Sequence, residues 1–137
     1  MRTRIQNAMY FIVSALILTS FMSFKLQDPK WSIPNEYKNM KNPLKKTAEN
    51  MTLGKQLYTR HCASCHGESG NGDGEKVKQL VNKSLRPANF KLNEFQVESD
   101  GVHFYKIKFG REGLHSFKGK LADEDIWGIV LQISTFK

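Results

Sequence analysis

Apolar positions recur at helical spacing in three stretches of the chain. The first begins at "NMTLGKQLYTRHCASC", where Leu53, Leu57, Tyr58 and His61 share a side and Asn50 supplies a plausible N-cap. The second, "SDGVHFYKIKFG", predicts a short helix over Gly101–Phe109 that stops on Gly110. The third, "ADEDIWGIVLQISTF", has an apolar face of Ile126, Ile129, Val130 and Ile133. Asp123, Glu124 and Asp125 suit the positive N-terminal end of that helix. The stretches between predict other things. "HGESGNGDGE" carries glycine at 67, 70, 72 and 74 and reads as loop. "EKVKQLVNK" is a short helix at best, and "LRPANF" is extended because Pro87 disfavours helix at Arg86. "REGLHSFKGKL" is loop. No alternating strand pattern stands out, so the prediction is an all-α domain over residues 49–137. It has little apolar material of its own and needs an added core.

The preceding residues differ in kind. "MRTRIQNAMYFIVSALILTSFMSF" has a basic start and then no charge from Ile5 to Phe24, the pattern of a signal peptide or a single membrane anchor over 1–24. Either one places the rest of the chain on the periplasmic side of the cytoplasmic membrane, secreted or N-terminally anchored. Residues 25–48 hold three prolines and six lysines against Asp28 and Glu36, and predict an extended Pro/Lys-rich tether. Trp31, Ile33 and Tyr37 are its candidates for packing onto the domain. The net charge of +8 therefore lies mostly in the leader and tether, not on the domain. A basic stripe on a folded face, which nucleic-acid binding needs, is not indicated.

The chain has two cysteines, Cys62 and Cys65, with His66 directly after them in "CASCH". A redox disulfide uses this spacing but sits in a βαβ context, which a helical domain lacks. A zinc site needs four ligands, and this cluster offers three. Covalent haem fits best: two thiols about one turn apart reach the two vinyl groups of a porphyrin, and the adjacent histidine reaches its iron. A disulfide or accidental spacing stands as the alternative.

With these residues in view, positions 50–137 resemble the class I cytochrome c family. The likeness rests on "GKQLYTRHCASCHG", "GNGDG", "RPANF", "DGVHFYKIKFG" and the terminal "DEDIW" helix. The resemblance implies three to four helices around one covalently bound haem c, with the first and last helices crossing. It implies that Gly54 and Tyr58 serve that crossing, and that the carbonyl of Pro87 accepts a hydrogen bond from the ligand His66. Such a bond fixes the ring and raises its basicity.

The same resemblance leads to a methionine as the second axial ligand, in a "G-Met-Pro-x-Phe" run. Here the run reads "GLHSF", with Leu114 at the methionine position, His115 at the proline position and Phe117 near the haem. All five methionines, at 1, 9, 22, 40 and 51, precede Cys62. The sixth ligand is therefore expected not to be methionine. His115 binds iron, or Leu114 caps an open position; His103 is a third candidate, set against its reading as an exposed polar residue. His61 is expected at the surface or near a haem propionate. Loss of methionine lowers the reduction potential.

The function expected from this reading is one-electron transfer by a periplasmic or membrane-tethered carrier, with residues 5–24 the possible membrane contact. Lys106, Lys108, Arg111, Lys118 and Lys120 stand against only Glu112 between Gly101 and Ala122, and suggest docking of an acidic redox protein. The alternative is a five-coordinate haem protein that binds or senses a small diatomic ligand. An enzyme is disfavoured, because no distal acid–base pair exists beyond His115.

Overall fold

The computed structural model describes residues 31–79, 86–111 and 116–136. Ser32–Lys137 forms a compact unit. Its described helices are α1 (Asn35–Lys38), α2 (Ala48–His61), α3 (Ala63–His66), α4 (Asn93–Gln96), α5 (Asp100–Phe109) and α6 (Asp123–Ile133), with a 3-10 turn at Glu75–Gln79. No strand forms among the described residues. The leader expected over 1–24 lies outside them. Among the described residues no helix is long and apolar enough to cross a membrane.

Helix α2 starts earlier than its apolar pattern suggested. Thr47, not Asn50, is the N-cap: its hydroxyl accepts from the Asn50 amide at 3.2 Å. The polar first turn, Ala48–Asn50, carries no apolar signal and so was invisible to periodicity. Helix α5 is capped by Ser99, whose hydroxyl accepts from the Val102 amide at 3.4 Å, and stops at Gly110 with φ 67°. Helix α6 buries every residue from Ile126 to Leu131, and Ile133 as well. Its acidic first turn compensates for an Ala122 N-cap without a side-chain acceptor.

Helices α2 and α6 cross at glycines. A Cβ at Gly54 would run into the carbonyl oxygen of Gly128 and lie 3.1 Å from its carbonyl carbon. The core divides into two groups around this crossing. Leu57, Tyr58, Phe90, Ile129, Ile133 and Phe136 form one, and Phe104, Ile126, Trp127 and Val130 the other. Ile107 and Leu121 pack against both.

The stretch expected as tether is in contact with the domain from α1 onward. The Tyr37 ring meets Phe104, Tyr105 and Phe109 at centroid distances of 6.3, 4.9 and 5.9 Å. Gly101 donates its amide to the Met40 carbonyl at 3.1 Å, and a Cβ on Gly101 would lie 2.6 Å from the Met40 Cβ. Asn42 donates its side-chain amide to the Trp127 carbonyl at 2.9 Å, and its backbone amide to Asp100 at 3.1 Å. Residues 37–44 are therefore a strap over the start of α5 and the middle of α6.

Candidate functional site

The last turn of α2 delivers Cys62, and the single turn α3 delivers Cys65 and His66. Continuity holds through the backbone: the amides of Cys65 and His66 donate to the Cys62 carbonyl at 3.1 and 2.9 Å. The two cysteines form no disulfide with each other. Among the described residues no group of three or more histidine, cysteine or acidic side chains gathers to hold a metal ion by itself.

The glycine-rich loop closes back on this turn. Gly72 and Gly74 donate their amides to the carbonyls of His66 and Cys65, at 2.8 and 3.0 Å. Gly72 has φ 74°, and a Cβ there would stand 2.7 Å from the Pro87 carbonyl oxygen. Position 72 thus needs glycine for its backbone conformation and for the approach of residues 87–88. The Tyr58 hydroxyl donates to the Gly67 carbonyl at 2.7 Å. Burial is the main cause that raises its pKa well above the ordinary phenol value, so it remains a donor. Tyr58 also meets Phe136 and Phe90 edge-on, which ties the loop to the core.

His66 is held in two ways. Its Nδ1 lies 3.1 Å from the Ala88 carbonyl oxygen. A carbonyl only accepts, so Nδ1 carries the proton and Nε2 keeps a lone pair. The carbonyl that meets Nδ1 is that of Ala88, one residue after the Pro87 carbonyl expected from the sequence, and the Pro87 carbonyl oxygen lies close to Gly72. The His66 ring also stacks on Phe90, with centroids 4.4 Å apart and planes 16° apart.

Two thiols on adjoining turns and an imidazole whose Nδ1 donates to a carbonyl make a donor set that fits a covalently attached haem. Two such thiols would take up the vinyl groups of that group, and the imidazole would bind its iron. Leu114 and His115 lie outside the described residues. Phe117 is described: it is half-buried against the Phe104 and Trp127 group and meets the His61 ring edge-on at 5.8 Å. His61 is half-buried by this contact. Met40 sits in the strap and Met51 in α2, so neither lies on the segment that ends in Phe117.

His103 corrects an expectation. It is not an exposed polar residue but 7% exposed, stacked on Phe95 at 4.1 Å. Sequence periodicity hid this because its cover comes from α4, an element the pattern did not indicate. The basic cluster is corrected too. Lys106 pairs with Glu98 at 2.5 Å and Lys108 with Asp123 at 2.7 Å. Both carboxylates come from outside the window 101–122 in which only Glu112 was counted. Lys118 and Lys120 remain exposed, with the Lys118 ammonium 5.6 Å from the Phe109 ring centre.

The family described as cytochrome c oxidase, cbb3-type, subunit III matches residues 49–131. Cytochrome c6 of Thermosynechococcus vestitus is 26% identical over 86 residues, covering 63% of this chain and 70% of that protein. Cytochrome c6 of Parathermosynechococcus lividus is 26% identical over 80 residues, covering 58% of this chain and 83% of that protein. Cytochrome c6 of Gracilaria tenuistipitata var. liui is 28% identical over 79 residues, covering 58% and 66%.

Proposed function

The chain belongs to the family of cytochrome c oxidase, cbb3-type, subunit III, and is a class I c-type cytochrome that carries covalent haem c; from that premise we propose that Cys62 and Cys65 form the thioether links and that His66 binds the iron through Nε2. It is an electron carrier, not an enzyme. The bound haem supplies one-electron chemistry, alternating ferrous and ferric iron. What the chain does is hold, orient and enclose it. The observation that carries this reading is the His66 Nδ1 contact with the Ala88 carbonyl at 3.1 Å, directly after the two thiols. Donation from Nδ1 fixes the tautomer and makes Nε2 the stronger ligand.

The sixth ligand in this reading is not methionine. Its position is taken by His115, or stands open beneath Leu114. The carrier works on the periplasmic side of the cytoplasmic membrane, delivered there by residues 1–24 as leader or anchor. Its partner is an acidic redox protein.

The experiment is a set of variants expressed with the haem-attachment machinery. Cys62→Ala with Cys65→Ala is expected to lose haem to acid–acetone extraction; covalent haem surviving in that double variant would remove the attachment reading. For the sixth ligand, a low-spin wild type with a high-spin, carbon monoxide-binding His115→Ala identifies His115. A wild type already high-spin, and unaltered in His115→Ala, identifies the open position.

A further inference from the structure

His66 is one end of a row of four rings. Its face lies on Phe90 at 4.4 Å; Phe90 meets Phe95 at 4.7 Å; Phe95 lies on His103 at 4.1 Å. The two end contacts are near-parallel, each with 16° between planes. The row runs from the candidate iron ligand, through the core, to the buried side of α5.

We propose that Phe95 and His103 are positioning residues for the haem: they act through Phe90 to hold the plane of the His66 imidazole. This rests on the reading of His66 as the iron ligand. The row is backed along its length. Phe90 is 6% exposed, with Tyr58 edge-on and Phe136 parallel, both at 6.3 Å. The Gln96 side-chain amide donates to the carbonyls of both Phe90 and Phe136, which locks the backbone on either side of the ring. Phe95, one residue earlier on α4, has Phe90 and His103 on its ring.

The chemistry of His103 argues that its ring is used as a flat face. Its Nδ1 is buried and has no hydrogen-bond partner among the described residues. Glu98 is nearby, with Oε2 at 3.5 Å from that nitrogen, but its carboxylate is turned to Lys106, at 2.5 and 2.6 Å. A buried, unpaired nitrogen costs stability that an aliphatic residue would not. An aliphatic residue would fill the space, but it would give Phe95 no plane to lie against. Burial also holds the imidazole pKa low, at about 4, so the ring is neutral at physiological pH.

A loosened row frees the His66 ring to tilt and weakens the contact between Nδ1 and the Ala88 carbonyl. A weaker contact lowers the basicity of Nε2 and its preference for ferric iron. The test uses the full-length, haem-loaded protein, read by ferric EPR and by reduction potential. His103→Leu is expected to broaden the largest g-value and raise the potential. His103→Phe, which keeps the ring and removes the nitrogens, is expected to keep both at wild type. Phe95→Leu is expected to act in the same direction as His103→Leu, and it carries the test if His103→Leu does not fold. Unchanged readouts in the leucine variants overturn the proposal, as does an equal shift in His103→Phe. His66→Ala separates the two readings. A wild-type spectrum in His66→Ala overturns the ligand and the row together. An altered spectrum there, with silent leucine variants, overturns the row alone.

Discussion

Gly54 and Gly128 meet at the crossing of α2 and α6, but they are not equivalent. A Cβ at Gly54 points into the backbone carbonyl of Gly128, whereas one at Gly128 finds the Leu57 Cδ1 at 3.5 Å, an ordinary contact. Gly54→Ala must push two helices apart, and overpacking of this kind costs about 1–3 kcal/mol. Gly128→Ala has no such clash and gains helix propensity, up to about 1 kcal/mol. Urea unfolding of the haem-loaded variants should show a large loss for Gly54→Ala and little change for Gly128→Ala. Equal losses would mean that the crossing is not set by Gly54.

The strap gives a second test. Asn42→Ala removes the bonds that its side chain makes with the Trp127 carbonyl and the Leu44 amide, both 2.9 Å. Loss of such bonds costs about 0.5–1.5 kcal/mol each. Gly101→Ala displaces the strap directly, because its Cβ meets the backbone at Tyr37 and the Met40 side chain. Limited trypsin digestion reads the effect, since Lys38, Lys41, Lys45 and Lys46 lie in or beside the strap. Both variants should be cut there faster than wild type, with α2 to α6 left intact. A wild-type cleavage rate in Gly101→Ala would show that the strap does not depend on this approach.

Much of the helical frame was legible because its signals are local. Gly110, the acidic run 123–125 and the apolar face from Ile126 to Ile133 each declare an element within a few residues. The grouping of Cys62, Cys65 and His66 is local in the same way. What the sequence hid depends on partners far along the chain. Tyr37 was legible as a candidate for packing, but the strap as a whole looked like a tether because Asn42 and Leu44 have no periodicity, and because Asn42 finds Asp100 and Trp127 58 and 85 residues away. The shift from Pro87 to Ala88 as partner of His66 arises in an irregular segment, where no repeat fixes which carbonyl turns inward. His103 looked like a surface residue because nothing in its own helix announces the Phe95 ring that covers it.

Partner docking should separate the paired lysines from the unpaired ones. Glu98 and Asp123 already oppose Lys106 and Lys108, so removing these lysines alters the local field less than their charge suggests. Lys118→Glu with Lys120→Glu should slow electron transfer to an acidic redox protein several-fold at low ionic strength, and the difference should fade as salt rises. Lys106→Gln and Lys108→Gln should have smaller effects. Stopped-flow rates across a salt series make the comparison. Equal effects from all four positions, or no salt dependence, would detach this surface from docking.

Acid sensitivity is expected to concentrate in His103. Burial lowers its pKa in the folded state to about 4, from an ordinary 6.5; the nearby Glu98 and Asp100 oppose that shift, and Lys106 reinforces it. The unfolded chain therefore binds a proton that the folded chain refuses between these two values. Stability rises with pH wherever the unfolded state binds more protons. The contribution of His103 is thus present above about pH 6.5, is lost as pH falls from 6.5 towards 4, and changes no further below that. A shift of this size corresponds to about 3 kcal/mol. His103→Phe removes the titrating group and keeps a ring against Phe95. Thermal or urea unfolding between pH 7 and pH 4 should show a steeper loss in wild type than in His103→Phe, with the two curves diverging below about pH 6.5. Parallel curves would assign the acid sensitivity to other groups and place His103 in a more solvated setting than its 7% exposure implies.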